Sequence, residues 1–351
     1  MVKIEPKTKS YGFAVVGCGN IGEKHARVLS ELEGAKLVAV CDNIRERVIE
    51  FGKKYNAKPY SDYSRLLKDK NVDVVTICTP SGMHAQMTIE AAEAGKHVVT
   101  EKPMALTLRG ADKMIEICKK NNVRLFVVKQ NRYNPPIKRL KEAIDKGRFG
   151  KIFLVNTTVR WSRPQKYYNG DAWRGTWKMD GGVIMNQASH HVDLLRWLVG
   201  PVESVFARVE TLTHKIEVDD TAVVTLKFKN GALGIIEATT GIFPKNLEGS
   251  VAVFGTKGSA KVGGSCVSKI EVWDFQDYEN EDDEILKFSS IPPDVYAYSH
   301  REVFRNIIGA LRTNKDPLIS GIEGRNTLEL ILAIYKSAMT GKEVKLPLEE
   351  E

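Results

Sequence analysis

Between Tyr11 and about Lys129, short apolar segments alternate with amphipathic ones. Segments such as YGFAVV, AKLVAVCD and VDVVTICTP are almost wholly apolar, which is typical of strands covered on both faces. The intervening segments, such as IGEKHARVLSEL, repeat apolar residues with a helical period. This alternation predicts a doubly wound parallel sheet with helices on both faces.

After a linking helix around PPIKRLKEAIDKG, strands follow one another directly. The predicted strands are 151–161, 202–213, 220–229 and 232–241. Asn230-Gly231 is a two-residue hairpin signal, and FGTKGSAKV predicts another tight connection, so we expect a mainly antiparallel sheet. Two late helices, at about 299–313 and 322–341, would pack on this sheet or return to the first domain. The chain is therefore α/β, with a first domain at 1–129, including a polar tail at 1–10, and a second domain at 130–351.

The composition is that of an ordinary globular protein, with 351 residues, 42% of them hydrophobic and 27% charged. No apolar stretch approaches the roughly 20 residues of a membrane span. The start, MVKIEPKTKS, lacks the apolar core of a secretory signal, so we expect a cytoplasmic protein without membrane contact. The five cysteines show no C-x-x-C spacing and predict reduced core residues, with no metal site.

The net charge of +8 comes from basic residues that are interspersed with acidic ones. Because no dense basic block appears, nucleic acid is not an expected partner. An anionic small substrate and plain solubility each explain the charge. The acidic run DYENEDDE, at 277–284, predicts a solvated loop.

The sequence GCGNIG lies between the first predicted strand and the first helix. Gly17 permits a tight turn, Gly19 lets a pyrophosphate approach the backbone, and Gly22 lets the helix pack closely on the strand. The phosphates would face the helix N-terminus, beside Asn20 and Ile21. Asp42 ends the second strand 20 residues after Gly22, where it can accept hydrogen bonds from ribose hydroxyls. Its charge favours NAD over NADP, although Arg45 and Arg47 partly offset that preference.

Two further strand ends carry candidate residues. In CTPSGMH, Thr79, Pro80 and His84 are expected to line the cofactor groove; a proline turn that merely stops the strand is the alternative. In HVVTEKPMA, Glu101 and Lys102 follow a core strand. A solvated strand end explains this pair, but a cation at this edge can also stabilise a developing alkoxide. Desolvation would lower the lysine pKa there.

The motifs GCGNIG, CTPSGMH, EKP and MNQASHHVDLLRWLVG, in this order, resemble the Gfo/Idh/MocA family of oxidoreductases. Within it, VVKQNRYNPP, WRGTWKMDGG and MNQASHHVD resemble the WlbA branch, which comprises UDP-N-acetyl-2-amino-2-deoxyglucuronate 3-dehydrogenases of surface-polysaccharide biosynthesis. The resemblance implies a Rossmann domain and an open, mixed-sheet second domain used for assembly into a dimer or tetramer. It also implies NAD as cofactor, and a catalytic lysine and histidine that fall on Lys102 and His190.

Helix geometry distinguishes the two adjacent histidines. If the helix begins early, a rotation of 100° per residue places four side chains on one side of it, namely those of Asn186, His190, Asp193 and Trp197. His191 falls on the apolar stripe with Leu194 and Leu195, where a histidine is usually a satisfied core residue. Many sugar and inositol dehydrogenases of the family carry aspartate four residues before this histidine, whereas this chain has Asn186. An amide cannot pass on a proton, so Asn186 can only orient His190 or bind substrate.

Cations and tryptophans alternate between residues 160 and 178. Guanidinium groups suit carboxylate and pyrophosphate, and an indole can cover a sugar or a base. Nucleic-acid surfaces and protein cores use the same residues, and the cofactor motifs favour a nucleotide sugar. The predicted substrate contacts are Lys102, Arg160, Lys178, Asn186, Gln187 and His190, and the remaining cofactor contacts are Glu101, Lys102, Gln130, Trp173 and Arg174.

The predicted reaction is the oxidation of a sugar 3-hydroxyl to a ketone. His190 accepts the hydroxyl proton, Lys102 stabilises the alkoxide, and hydride passes from C3 to NAD. Lys102 as the base, relayed through His190, is an alternative. Three rival functions remain open: a family dehydrogenase acting on inositol or a free sugar, an NAD-dependent glycosidase, and a non-catalytic NAD-binding sensor.

Overall fold

The computed structural model describes residues 9–279, 282–287 and 295–349. The strands are β1 Tyr11–Val16, β2 Ala35–Cys41, β3 Lys58–Tyr60, β4 Val74–Ile77, β5 His97–Thr100, β6 Leu125–Val127, β7 Ile152–Arg160, β8 Val202–Glu210, β9 Thr221–Phe228, β10 Leu233–Thr239, β11 Glu248–Gly255, β12 Gly258–Gly263, β13 Lys269–Phe275 and β14 Val344–Lys345. The α-helices are α1 Asn20–Glu31, α2 Arg45–Tyr55, α3 Tyr63–Leu67, α4 His84–Glu93, α5 Leu108–Lys120, α6 Pro135–Asp145, α7 Gln165–Asn169, α8 Ser189–Val199, α9 Asp282–Lys287, α10 Val295–Thr313 and α11 Gly321–Thr340. None of the helices in this described part is long and apolar enough to cross a membrane.

The first of two compact units runs to Ala105 and adds Arg109–Val128 and Tyr296–Gly324. Its six strands form a sheet in the order β3-β2-β1-β4-β5-β6, and every neighbouring pair is parallel. The central strands are buried on both faces, as their continuous apolar sequences require. The predicted doubly wound parallel sheet is confirmed. Its order reverses between β1 and β4, where the carboxyl ends of the strands form the usual ligand crevice.

The first unit includes residues 296–324, which the sequence-based division assigned to the second domain. Helix α10 lies against the parallel sheet, because the Phe304 ring meets Phe13 of β1 edge-on with centroids 5.9 Å apart. Ser320 forms a β-bridge with Phe126 of β6. An apolar helix face fits either sheet equally well in sequence, so only tertiary packing decides its place.

The second unit contains Lys129–Val295 and the chain from Arg325 onward. Its eight strands lie in the order β13-β12-β11-β7-β10-β9-β8-β14. All neighbours are antiparallel except β7 and β10, so the predicted mainly antiparallel sheet is confirmed. The expected tight turns at Asn230-Gly231 and Thr256-Lys257 connect β9 to β10 and β11 to β12.

The two faces of this sheet differ. Alternate residues of β9 and β10 are buried, and α8 packs against β7 and β11 on this inner side. Helix α11 reaches it as well, because the Ala207 backbone N–H donates to Ser337 Oγ at 3.1 Å. The outer face exposes four large apolar side chains, Phe206, Val223, Leu233 and Ile235.

The acidic run is more ordered than predicted. Asp282 is buried and accepts two hydrogen bonds from Arg148, each 2.7 Å long, and one from the Trp273 indole N–H at 2.8 Å. Residues 280–281 of the run lie outside the described residues. The Arg148 guanidinium therefore holds Asp282 in place, although the acidic composition of this segment predicts a solvated loop.

Candidate functional site

The packing of the glycine-rich turn in the first unit requires two of its three glycines, Gly17 and Gly22. Gly17 has φ +96°, and a Cβ there would lie 2.7 Å from the Cys78 carbonyl oxygen. A Cβ on Gly22 would lie 1.9 Å from the Gly17 carbonyl oxygen, so helix α1 cannot approach β1 this closely with any other residue. Around Gly19, a Cβ would meet no described atom within 4 Å. The turn thus leaves space at the residue where a pyrophosphate is expected to lie.

The start of α1 suits an anion. Gly19 precedes the helix and no side chain caps it, while Asn20 is exposed and Ile21 is half-buried. The N–H groups of a first helical turn have no intrahelical acceptors, and the helix dipole favours negative charge there. These features fit the phosphates of a dinucleotide.

Asp42 organises the turn beside this helix. Its Oδ2 accepts the Cys18 N–H at 2.8 Å and its Oδ1 accepts the Ile44 N–H at 2.9 Å. Each carboxylate oxygen has a second lone pair, so Asp42 can still accept ribose hydroxyls. Arg47 lies 3.6 Å from Oδ2. Arg47 therefore partly offsets the negative charge of Asp42, as the sequence suggested.

His84 supports the neighbouring loop instead of lining the groove. It is buried, with Nδ1 2.7 Å from the Pro103 carbonyl oxygen and Nε2 2.8 Å from the Thr79 carbonyl oxygen. Thr79 and Pro80 are half-buried at the end of β4, as a groove-lining role requires. The expectation of a cofactor contact at His84 is thus replaced by a bracing role between two loops.

A buried charge cluster lies beside Lys102. Glu101 Oε1 is 2.9 Å from His25 Nε2 and 4.0 Å from His300 Nε2, and all three residues are buried. Burial alone would raise the pKa of Glu101, but the hydrogen bond and charge of His25, aided by His300 and Lys102, lower it to about 2. Glu101 is therefore an anion held behind the half-buried Lys102.

These three side chains could also coordinate a metal ion, because one ligand atom from each lies within 4.8 Å of the others. The 2.9 Å contact is a hydrogen bond that already satisfies His25 and Glu101. His25 also meets the Thr76 hydroxyl at 3.0 Å through Nδ1. A hydrogen-bonded network thus explains the cluster, and the expected absence of a metal stays a prediction.

His190 lies at the start of α8 in the second unit. Its Nε2 is 3.0 Å from the Gln130 side-chain nitrogen, so the structure brings these two predicted residues together. With the amide N–H donating, Nε2 of His190 is the acceptor and the neutral ring carries its proton on Nδ1. If the amide is turned over, these roles exchange. In either case Gln130 contacts His190, and the tautomer of the ring is coupled to the orientation of the Gln130 amide.

His191 is a core residue, but it is not a satisfied one. It is fully buried, its ring meets Trp161 edge-on at 5.7 Å, and neither ring nitrogen has a hydrogen-bond partner among the described residues. Burial lowers the pKa of His191 to about 4, so the ring is neutral. The burial of His191 therefore agrees with the assignment of the catalytic role to His190.

Asn186 lies in a π-helix, Val183–Gln187, that precedes α8. The uniform 100° rotation that placed Asn186 in one sector with His190 therefore does not apply across this segment. Its side-chain amide donates to Asp180, a buried carboxylate that the sequence reasoning did not single out. Asp193, from the same predicted sector, instead pairs with Arg132 at 2.7 Å and accepts a hydrogen bond from Thr327.

The π-helix is anchored by Asp219 and Tyr335, two further residues that the sequence reasoning did not single out. Asp219 Oδ2 accepts the Val183 N–H at 2.9 Å, and the Tyr335 hydroxyl accepts the Met185 N–H at 3.3 Å and donates to Asp219. Burial raises the pKa of Asp219 to about 6, although these hydrogen bonds lower it. A Cβ on Gly182 would overlap the Asp219 carboxylate, so a glycine is required there.

Arg160 does not point toward the helix that carries His190. It lies on the outer face of the sheet, where it makes two 2.7 Å hydrogen bonds to Glu237 and one of 3.0 Å to Glu248. Lys261 extends this row by bridging Glu248 and Glu271. Strand alternation puts Val159 inside and Arg160 outside, so the geometry gives no support to the predicted substrate contact at Arg160.

Another arginine lies next to the π-helix. Arg163 Nε donates to the Gln187 side-chain oxygen at 3.1 Å, and the Gln187 amide donates to the Tyr167 hydroxyl at 3.2 Å. The same hydroxyl accepts a 2.5 Å bond from Arg174, whose guanidinium stacks on the Trp173 ring. The sequence offered Arg163 among the alternating cations, whereas Tyr167 gave no signal. Lys178 is exposed nearby in the chain.

Comparison with known proteins agrees with this geometry. Residues 11–129 match the Gfo/Idh/MocA oxidoreductase family described as having an NAD-binding Rossmann fold, and residues 137–261 match a C-terminal domain of that family. The myo-inositol 2-dehydrogenase of Thermotoga maritima is 32% identical over 95% of this chain and 97% of its own. The chain belongs to the Gfo/Idh/MocA family.

Two solved structures are similar to this Gfo/Idh/MocA protein along its length. The WlbA dehydrogenase from Bordetella pertussis, in complex with NADH and UDP-GlcNAcA, is 43% identical with a TM-score of 0.94, covering 98% of this chain and 100% of its own. The WlbA enzyme from Chromobacterium violaceum, with the same two ligands, is 42% identical with a TM-score of 0.92 over the whole of both chains.

Family membership confirms several predictions. The Gfo/Idh/MocA protein is an NAD-dependent oxidoreductase whose first unit is the NAD-binding Rossmann domain. The α/β fold, with a parallel Rossmann sheet and a mainly antiparallel second sheet, is as expected. The roles of individual residues remain predictions, and the geometry gives no support to the contacts predicted at Arg160 and His84.

Proposed function

We propose that the protein oxidises the 3-hydroxyl of a UDP-N-acetylglucosaminuronic acid-type nucleotide sugar, using NAD, to give a 3-keto sugar for surface-polysaccharide biosynthesis. The observation that carries this proposal is the full-length similarity, at 42–43% identity, to two dehydrogenases in complex with NADH and UDP-GlcNAcA. Because both proposed reactants are metabolites, we place the reaction in the cytoplasm.

The residues of the first unit fit NAD. The open space at Gly19, the uncapped start of α1 and the remaining lone pairs of Asp42 would hold its pyrophosphate and ribose. When bound, NAD supplies the hydride acceptor. The other proposed cofactor contacts are Gly17, Asn20, Ile21, Gly22, Thr79, Pro80, Glu101 and Lys102 in the first unit, and Gln130, Trp173 and Arg174 in the second.

His190 is the proposed general base. A neutral imidazole accepts a proton on whichever nitrogen lacks one, and the orientation of the Gln130 amide is coupled to which nitrogen that is. His191 is excluded from this role because it is fully buried, with its ring packed edge-on against Trp161. Asn186 and Gln187 would bind substrate, with Arg163 taking the place first given to Arg160. Lys178 remains a proposed substrate contact.

Lys102 is proposed to stabilise the alkoxide that forms as the hydroxyl loses its proton. The neighbouring Glu101 is ionised, and a fixed anion next to an ammonium stabilises the positive charge. This arrangement supports Lys102 as the cation and His190 as the base, in preference to a neutral lysine acting as the base.

We further propose that the protein is a homo-oligomer, a dimer or a tetramer, assembled through the outer face of its eight-stranded sheet. Val223, Leu233 and Ile235 expose about half of their surface there, at 53%, 57% and 42%. Single exposed apolar residues are common, but a cluster on one open sheet face is typical of an interface. A molar mass in solution equal to one chain would contradict this proposal.

A substrate panel tests the proposed reaction. Purified protein with NAD is incubated separately with UDP-GlcNAcA, UDP-GlcNAc, myo-inositol and free sugars, and NADH absorbance is followed over a single turnover. We expect a signal with UDP-GlcNAcA and a much weaker one with UDP-GlcNAc, which lacks the carboxylate.

The second candidate function is inositol oxidation, which the 32% identity to a myo-inositol 2-dehydrogenase favours. A signal with inositols and none with UDP-sugars would establish that candidate and reject ours.

A further inference from the structure

We propose that Asp180 is a positioning residue that fixes the side-chain amide of Asn186, so that position 186 presents an uncharged hydrogen-bond acceptor to a donor group of the substrate. The expected donor is a sugar hydroxyl or an amide N–H. The identity of the substrate in this inference rests on the proposed function. The contact between Asp180 and Asn186, which carries the inference, is independent of that function.

Asp180 is a buried carboxylate, and both of its oxygens accept hydrogen bonds. It is only 2% exposed, and its Oδ2 accepts the Gly175 backbone N–H at 2.7 Å. Its Oδ1 accepts the Asn186 side-chain amide. The Asp180 backbone N–H donates to the Thr176 carbonyl oxygen at 3.0 Å, which fixes the loop that carries it.

The chemistry of the pair determines the orientation of the amide. Both oxygens of Asp180 act as acceptors, Oδ2 for the Gly175 N–H and Oδ1 for Asn186, so the NH₂ group of Asn186 faces Asp180. The carbonyl oxygen of a planar amide then points to the other side.

The backbone of Asn186 is held separately from its side chain. Asp219 and Tyr335 bind the N–H groups of Val183 and Met185, and the Asn186 N–H itself donates to the Gly182 carbonyl oxygen at 2.9 Å. With the π-helix fixed in this way, the contact with Asp180 acts on the rotation of the amide. Asn186 is half-buried, so its side chain is not sealed in the core.

The same contact explains why residue 186 is an amide. A carboxylate at 186 would face the Asp180 carboxylate at hydrogen-bonding distance, and two such groups cannot both be ionised. One of them would take up a proton and become a donor. With an amide at position 186, no second carboxylate faces Asp180, and position 186 remains neutral.

An exchange of the two side chains tests the proposal. We would compare Asp180→Asn, Asn186→Asp and the double variant D180N/N186D, with Asp145→Asn as a matched change at an exposed helix residue. Thermal stability, NAD affinity, and kcat and KM for the oxidised substrate are measured for each. The substrate is whichever compound the panel identifies, so failure of the UDP-sugar proposal does not affect this comparison.

In Asp180→Asn, the new amide can donate or accept, so Asn186 loses its single orientation. We expect KM to rise about tenfold with NAD affinity unchanged, which corresponds to the loss of roughly one hydrogen bond. The double variant re-forms one carboxylate–amide pair in the reverse direction. It should recover thermal stability while kcat/KM stays reduced by at least about tenfold and becomes dependent on pH.

Recovery of both stability and kcat/KM in the double variant would show that the pair is merely structural and would overturn the proposal. An unchanged KM in Asp180→Asn would do the same. A readout independent of activity is the Asn186 side-chain amide NMR signal, assigned by its loss in Asn186→Ala. It should exchange slowly with solvent in the wild type and rapidly in Asp180→Asn; equal exchange in both would also reject the idea.

Discussion

The Nε2 atom of His25 lies 2.9 Å from Oε1 of Glu101, in a cluster buried beneath Lys102. His25 belongs to α1, the helix whose start forms the dinucleotide cradle, whereas Glu101 precedes the proposed catalytic lysine. One hydrogen bond therefore joins the cofactor-binding helix to the loop that carries Lys102.

The His25–Glu101 pair predicts that the folded protein loses stability in acid. The pKa of Glu101 in the folded protein is about 2, below its usual value, so its ionised form stabilises the fold above about pH 4.5 and this contribution is lost as the pH falls toward 2. Glu101→Gln should lower the melting temperature at pH 7, and the difference from wild type should shrink below pH 4. Glu116→Gln, an exposed control on α5, should show no such convergence.

Asp219 predicts the opposite pH dependence. Its pKa in the folded protein is raised to about 6, so its protonated form favours folding, and this contribution is fully present below about pH 4 and lost as the pH rises through 6. Asp219→Asn, which stays neutral, should gain stability relative to wild type between pH 4 and pH 7. Chemical denaturation at those two pH values measures the gain. A constant difference would show that Asp219 does not titrate in this range.

The two adjacent histidines should separate activity from stability. His190→Ala is expected to reduce turnover by roughly a hundredfold or more, because a general base is lost. His191→Leu removes a buried imidazole with no described hydrogen-bond partner and should retain activity while raising the free energy of unfolding by about 1 kcal/mol. That gain should grow from pH 6.5 to pH 4, where the unfolded chain protonates His191 before the folded one does. Loss of activity in both variants would contradict this division.

Lys102→Met should reduce kcat by a comparable factor of roughly a hundred or more while NAD affinity remains close to wild type, because the alkoxide loses its cation. The measurement is single-turnover NADH formation together with NAD binding by calorimetry. Full activity in Lys102→Met and His190→Ala alike would reject both catalytic assignments.

Arg160 and Arg163 form a matched pair for the substrate site. Arg160→Gln breaks a row of ion pairs on the outer sheet face and should cost no more than about 1 kcal/mol of stability with KM unchanged. Arg163→Gln removes the partner of Gln187 and should raise KM about tenfold. A rise in KM for Arg160→Gln alone would restore the original assignment.

The sequence by itself determined the features that depend on neighbours in the chain. Apolar strands between amphipathic helices gave the parallel sheet, Asn230-Gly231 gave a hairpin, and the spacing of Gly17, Gly19 and Gly22 gave the cofactor turn. These patterns are readable because backbone geometry repeats with a fixed period and because glycine is required wherever a Cβ cannot fit.

Only the tertiary structure decided which side chains meet. Asp180 lies six residues before Asn186 and Tyr335 lies 150 residues after Met185, and no local period links either pair. The π-helix shifted the rotation expected from Asn186 to His190, and strand alternation turned Arg160 to the opposite face from Val159. Hydrogen-bond partners are chosen by distance in space, so a sequence that names the right residue types cannot by itself say which of them touch.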